Sequence, residues 1–83
     1  MLATVASVNS ANRIRQHIFF KNSVHAKVIQ TPSSLTKEGC GYSLRFDDAY
    51  KTTVVKSAKE LKINIRAFYR EETKDGKTVY IKE

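Results

Sequence analysis

Two kinds of apolar spacing alternate along this chain, and their order leaves few folds open. Segments with period two, the spacing of strands, are interrupted twice by segments with the 3.6-residue spacing of helices. Residues 2–7 are short and apolar and contain Thr4 and Val5, which suits a first strand. Ser7 is placed to cap a helix whose inner face carries Ala11, Ile14 and Ile18 at i, i+3 and i+7. Arg13, Arg15 and Gln16 fall mostly on its outer side, and Lys21 puts positive charge near its C-terminal end before Asn22 and Ser23. Residues 24–31 alternate again, with Val24, Ala26 and Val28 on one side and His25, Lys27 and Ile29 on the other. Pro32 ends that strand, because it has no N–H for the ladder.

A polar loop over residues 32–39 leads to Gly39-Cys40-Gly41. Tyr42, Leu44 and Phe46 then alternate with Ser43 and Arg45 as a third strand. Asp47 or Asp48 caps a second helix with Tyr50, Val54, Ala58 and Leu61 inside. Lys51, Lys56, Lys59 and Lys62 fall largely outside it. Residues 63–70 read as a fourth strand with Ile65, Ala67 and Tyr69 on one face. Asp75-Gly76 signals a turn into a fifth, edge strand over residues 78–82. The order β-α-β-β-α-β with right-handed crossovers predicts an α+β, ferredoxin-like sandwich. Its antiparallel sheet carries both helices on one face, plus a C-terminal edge strand. All 83 residues are expected to form one domain, with a core over about residues 2–70 and a hairpin extension over about 71–83.

A chain of 83 residues has no room for a large enclosed active site. No apolar run approaches the roughly 18 residues that span a bilayer, and the first residues lack the basic segment of a secretion signal. A single cysteine cannot close an internal disulfide. The expectation is a soluble, cytoplasmic protein with a free thiol and no membrane association. Gly-rich phosphate loops, catalytic serine motifs and paired carboxylates are absent from the sequence. His17, His25 and Cys40 lack paired ligand spacing, so neither a metal nor a resident cofactor is expected. His17 reads as a surface helix residue and His25 as an ordinary strand residue. The formal net charge of +7 favours an anionic partner, either nucleic acid or an acidic protein face.

By elimination, the chemistry-bearing residue is Cys40. The predicted topology brings its loop to the junction of the first strand and first helix, near Ser7 to Ser10. Backbone N–H groups around Ser7, Asn9 and Ser10, together with the helix dipole, would favour a thiolate. Lys37 would add to that effect, and Glu38 would oppose it. Gly39 and Gly41 would leave the sulfur open to a partner. An alternative stays open on the same residues. Cys40 shares parity with Tyr42, Leu44 and Phe46, and so would equally continue a core face as a small buried side chain.

The segment PSSLTKEGCGYSLRF, residues 32–46, resembles the signature of the selenium/sulfur carrier-like family of small bacterial domains. That pattern has a first strand ending in a serine that starts a helix, a proline-led loop, a Cys-Gly pair and a strand ending in Phe-Asp. Here these are Ser7, Pro32, Cys40-Gly41 and Phe46-Asp47, and the resemblance covers about residues 2–70. It implies a carrier rather than an enzyme, holding sulfur or selenium transiently on Cys40 as a persulfide or selenosulfide. It further implies a cysteine desulfurase-like donor and an acceptor enzyme as partners.

Two rival readings use other surfaces. RNA-recognition domains share the element order, and Gly39-Cys40-Gly41-Tyr42 is similar to their Gly-aromatic-Gly-aromatic pattern. Aligning the glycines, however, puts Cys40 where an aromatic belongs and Ser43 and Arg45 at positions that should be buried. A protein adaptor would use an exposed sheet face with His25, Arg45, Arg66 and Phe68 as candidate contacts.

Overall fold

The computed structural model describes residues 1–35 and 41–83. Its elements are β1 (Leu2–Val5), α1 (Val8–Asn22), β2 (Lys27–Gln30), β3 (Tyr42–Arg45), α2 (Lys51–Leu61), β4 (Ala67–Lys74) and β5 (Lys77–Lys82). Short 3₁₀ turns at Ser33–Leu35 and Asp48–Tyr50 complete the order. The five strands lie in the order β2-β3-β1-β4-β5, and every neighbouring pair is antiparallel. The first four reproduce the ferredoxin-like arrangement expected from the sequence, and β5 extends the sheet at the β4 edge.

The central strand is the most buried. All four residues of β1 are buried, because β3 and β4 flank it and both faces are covered. Ala3 and Val5 face the helices and pack with Ala11, Ile14 and Ile18 of α1, Val54 and Ala58 of α2, and Leu44 and Phe46. On the opposite face, Leu2, Thr4 and Ser43 are also buried. Thr31 and Ser43 satisfy each other through a 2.8 Å hydroxyl pair, and the Thr4 hydroxyl donates to the Ala67 carbonyl. Arg45 and Glu71 form an ion pair at 3.0 Å that joins the neighbours of β1, β3 and β4.

Local signals account for most boundaries. Ser7 caps α1, its side-chain oxygen accepting from the Ser10 N–H, and Ser23 closes the helix in the left-handed conformation. Asp47 accepts from the Ala49 N–H and opens a 3₁₀ turn that runs directly into α2. At Asp75-Gly76 both residues have positive φ, as a two-residue type I′ hairpin turn requires.

The fourth strand departs from the sequence expectation. Residues 63–65 are an unpaired connection, and pairing starts where the Arg66 N–H donates to the Thr4 carbonyl. Ile63 and Ile65 reach the core from this connection, but Phe68 then takes the core position on β4. Ala67 and Tyr69 therefore share the helix-free face with Thr4 and Leu2, their cross-strand partners. Phe68 is no sheet-face contact: it stands edge-on to Phe46 at 6.4 Å, with the Lys51 ammonium over its ring. His25 precedes β2 and lies against the Phe19 ring instead. Tyr50 sits in the 3₁₀ turn before α2 and is exposed, so the inner stripe of α2 begins at Val54.

Leu44 is fully buried between β1 and β2 and under α1. Leu44→Ala is expected to cost about 2–5 kcal/mol, a large share of what a domain this small has. Urea denaturation followed by circular dichroism checks this, and a loss well under 1 kcal/mol would contradict the packing described.

Candidate functional site

Four chain ends meet at one edge of the sheet: the C-terminal ends of β1 and β2 and the N-terminal ends of β3 and β4. Thr31 leaves β2 here and Gly41 leads into β3, and the Thr31 N–H donates to the Gly41 carbonyl at 3.0 Å. Between them a cleft of about 160 Å³ opens, lined by Thr4, Val5, Thr31, Leu35, Gly41, Arg66, Ala67 and Tyr69. Two residues beyond Val5, Ser7 begins the cap of α1. Lys37, Gly39 and Cys40 lie outside the described residues; Gly41 is the described residue that follows Cys40 in the chain.

Gly41 has φ +128°, a region that side-chain-bearing residues rarely enter. Space is not the limit, since a methyl group there would meet only Thr31 Oγ1 at 3.5 Å and the Val5 carbonyl at 3.9 Å. Beyond any role in access, Gly41 has a conformational one.

The start of α1 is partly self-satisfied. Ser7 accepts from the Ser10 N–H at 3.2 Å and donates to the Ser10 hydroxyl at 3.1 Å. The Ser10 amide is therefore committed to the cap. Among the described residues, the Val8 and Asn9 amides are the first-turn donors without an acceptor. No acidic side chain stands in that turn. Arg66 was not singled out from sequence for this edge, because its placement depends on where β4 pairing begins.

A second polar cluster lies between the helices. Ser57 Oγ is 2.7 Å from His17 Nδ1, and His17 Nε2 is 3.0 Å from Glu60 Oε2. Lys21 Nζ reaches the same carboxylate oxygen at 3.2 Å. His17 is a half-buried residue at the helix surface, and its contacts with Ser57 and Glu60 add a link to α2 that the sequence reading did not include. Its position three residues after Ile14 and beside Ile18, on the border of the inner stripe, was the available signal.

The Ser–His–Glu order is that of a hydrolase triad, but the surroundings are not. Ser57 is 3% exposed and sits mid-helix, where backbone N–H groups are already spent on i−4 carbonyls. The cluster is a polar tie between α1 and α2. The hydrogen bond and charge of Lys21 hold the Glu60 carboxyl below its ordinary range, with smaller help from His17 and Lys56 against partial desolvation.

The helix-free sheet face does not match an RNA-recognition surface. Cross-strand register puts Leu2, Thr4, Ser43 and Arg45 of the two central strands on it, and none is aromatic. Tyr42 pairs with Val5 and belongs to the helix side. Among the described residues no group of three or more His, Cys, Asp and Glu side chains is arranged to hold a metal, and no helix is long and apolar enough to cross a membrane.

The family model described as "Putative Se/S carrier protein-like" matches residues 1–70. The chain belongs to this family. The match ends inside β4, so the turn and β5 of this carrier-like protein lie beyond it. Among curated proteins and among solved structures, no significant match is found.

Gly41→Ala is expected to destabilise the fold by about 1–3 kcal/mol through backbone strain, read as a shift of the urea midpoint; an unchanged midpoint would mean the segment relaxes freely. Glu60 gives a pH test. Its folded carboxyl is held low, so its stabilisation is fully present above the unfolded carboxylate range and is lost as pH falls through the folded value. At low salt, Glu60→Gln should lower the melting temperature slightly at neutral pH, and the gap to wild type should close in acid. A gap that stays constant to low pH would assign the effect to something other than this ionisation.

Proposed function

We propose that the chain is a sulfur or selenium carrier, not an enzyme, and that Cys40 is the carrying atom. The observation that carries this reading is the family match over residues 1–70 in a chain with a single cysteine. In the proposed reaction the Cys40 thiolate attacks the terminal sulfur of a donor persulfide. The donor S–S bond breaks, its electron pair leaves with the donor thiolate, and Cys40 becomes the persulfide. Selenium on a donor selenosulfide transfers in the same way. No net oxidation occurs, so a transient adduct suffices and no cofactor is invoked.

The chemistry of the sheet edge suits that role. Thiolate attack needs the anion to be favoured, and nearby positive charge and free N–H groups favour it. Gly41, the next residue in the chain, lines a cleft with Arg66, and the open Val8 and Asn9 amides begin the helix just after Val5. Gly39 and Lys37 would contribute access and charge from the same segment, and the Ser7–Ser10 cap would hold the helix start in place. A cysteine desulfurase-like enzyme is the natural donor class, an acceptor enzyme completes the transfer, and a reducing compartment such as the cytoplasm keeps the thiol unpaired.

Intact mass after incubation with a cysteine desulfurase and cysteine tests the reading. Wild type should gain the mass of one sulfur atom, and Cys40→Ser should gain none. Wild type that stays unmodified, with a Cys40 that resists alkylation while folded, would overturn the proposal. Arg66→Glu should retain the fold but slow loading, because it replaces positive charge at the cleft with negative.

A further inference from the structure

The charge of this protein is concentrated on its helices. Seven basic residues lie on α1, α2 and the Lys62 cap of α2, against the single acid Glu60, a balance of +6 out of a total of +7. The strands and loops are close to neutral by difference. Into this basic layer the fold places an exposed aromatic. Phe20 is 80% exposed, more than any other large apolar side chain among the described residues. It stands beside Leu61 in a groove of about 380 Å³ that runs between the helices, with Arg13 and Lys21 on its rim. Phe19 meets Phe20 edge-on at 5.6 Å and so supports one side of it. Neither the packing of α1 against the core nor the cleft beside Gly41 uses Phe20.

We propose that this layer is a docking surface for an acidic protein segment that inserts an apolar side chain beside Phe20 and Leu61. An exposed aromatic beside Leu61 in a shallow groove is the form of an interface anchor, and basic residues around it select carboxylates. A nucleic acid fits less well. A phosphate chain carries charge at every step, so one following the groove past His17 and Lys21 would meet the Glu60 carboxylate in the adjoining cleft, whereas a short acidic segment seated at Phe20 need not extend that far. A lipid surface fits less well too, because the apolar stripes of both helices are turned into the core and only the adjacent Phe19 and Phe20 rings are left to insert. Val8 and Phe20 are twelve residues apart on α1, about 18 Å along its axis. A partner held at Phe20 therefore leaves the helix start open, and the proposal stands whether or not Cys40 carries sulfur.

The test is an NMR titration of the full chain with three probes: an acidic peptide with one central Phe or Leu flanked by Asp and Glu, a single-stranded oligouridine, and vesicles containing anionic lipid. The peptide should shift amides around Phe20 and Leu61, weaken as salt rises, and lose about tenfold or more in affinity to Phe20→Ala. Phe20 is exposed, so that variant should fold, which its amide spectrum checks directly. Lys21→Glu should weaken the peptide further, and Cys40→Ser should bind as wild type does. Tighter binding of the oligouridine or vesicles, no binding of the peptide, or peptide binding indifferent to Phe20→Ala would each overturn the proposal.

Discussion

The pairing of β1 on both sides fixes almost everything else. A strand buried on both edges and both faces tolerates only short apolar and small polar residues, and Leu2-Ala3-Thr4-Val5 meets that demand. Its antiparallel pairing to β3 and to β4 forces the two crossovers, and so puts both helices on one face. It also sets what lies at the end of the strand. Because β1 stops at Val5, the α1 cap, Thr31, Gly41 and Arg66 all converge on the same edge. The proposed carrier site follows from this convergence. It does not depend on a pocket enclosed by the core, which a chain of this size cannot build.

Periodicity revealed much of this. The stripes Ala11-Ile14-Ile18 and Val54-Ala58 are core, the Ser7 cap is made, and the Asp75-Gly76 turn has the geometry its residues favour. The misses have one physical origin. Parity can be followed only while a strand remains paired, and residues 63–65 lie outside the sheet ladder. Ile65 reaches the core from that connection, and the next core residue is Phe68 rather than Ala67. A period-two reading carried across the connection therefore turned Phe68 and Tyr69 to the wrong faces. Contacts such as His17 with Ser57, forty residues apart, lie beyond any local pattern. The family resemblance, read from Ser7, Pro32, Cys40-Gly41 and Phe46-Asp47 taken in order, agrees with the match over residues 1–70.

The charge distribution separates two demands that a small carrier places on one surface. A reactive sulfur needs a local field that favours the anion, and it must be reachable from several directions by donor and acceptor in turn. Recognition needs area, charge and an anchoring side chain. Placing both at one edge would crowd the sulfur with whichever partner bound first. In this fold the helix axis resolves the conflict. The Val8 and Asn9 amides, without an acceptor among the described residues, mark one end of α1, and Phe20 stands near the other. A partner anchored by the helix layer is held by groups that take no part in the transfer. Under the proposed docking, such a partner would be exchanged for the next without disturbing the geometry at Gly41. The His17–Glu60–Lys21 tie matters for the same reason. With the buried Ser57 hydroxyl on His17 Nδ1, it ties α1 to α2 next to the groove.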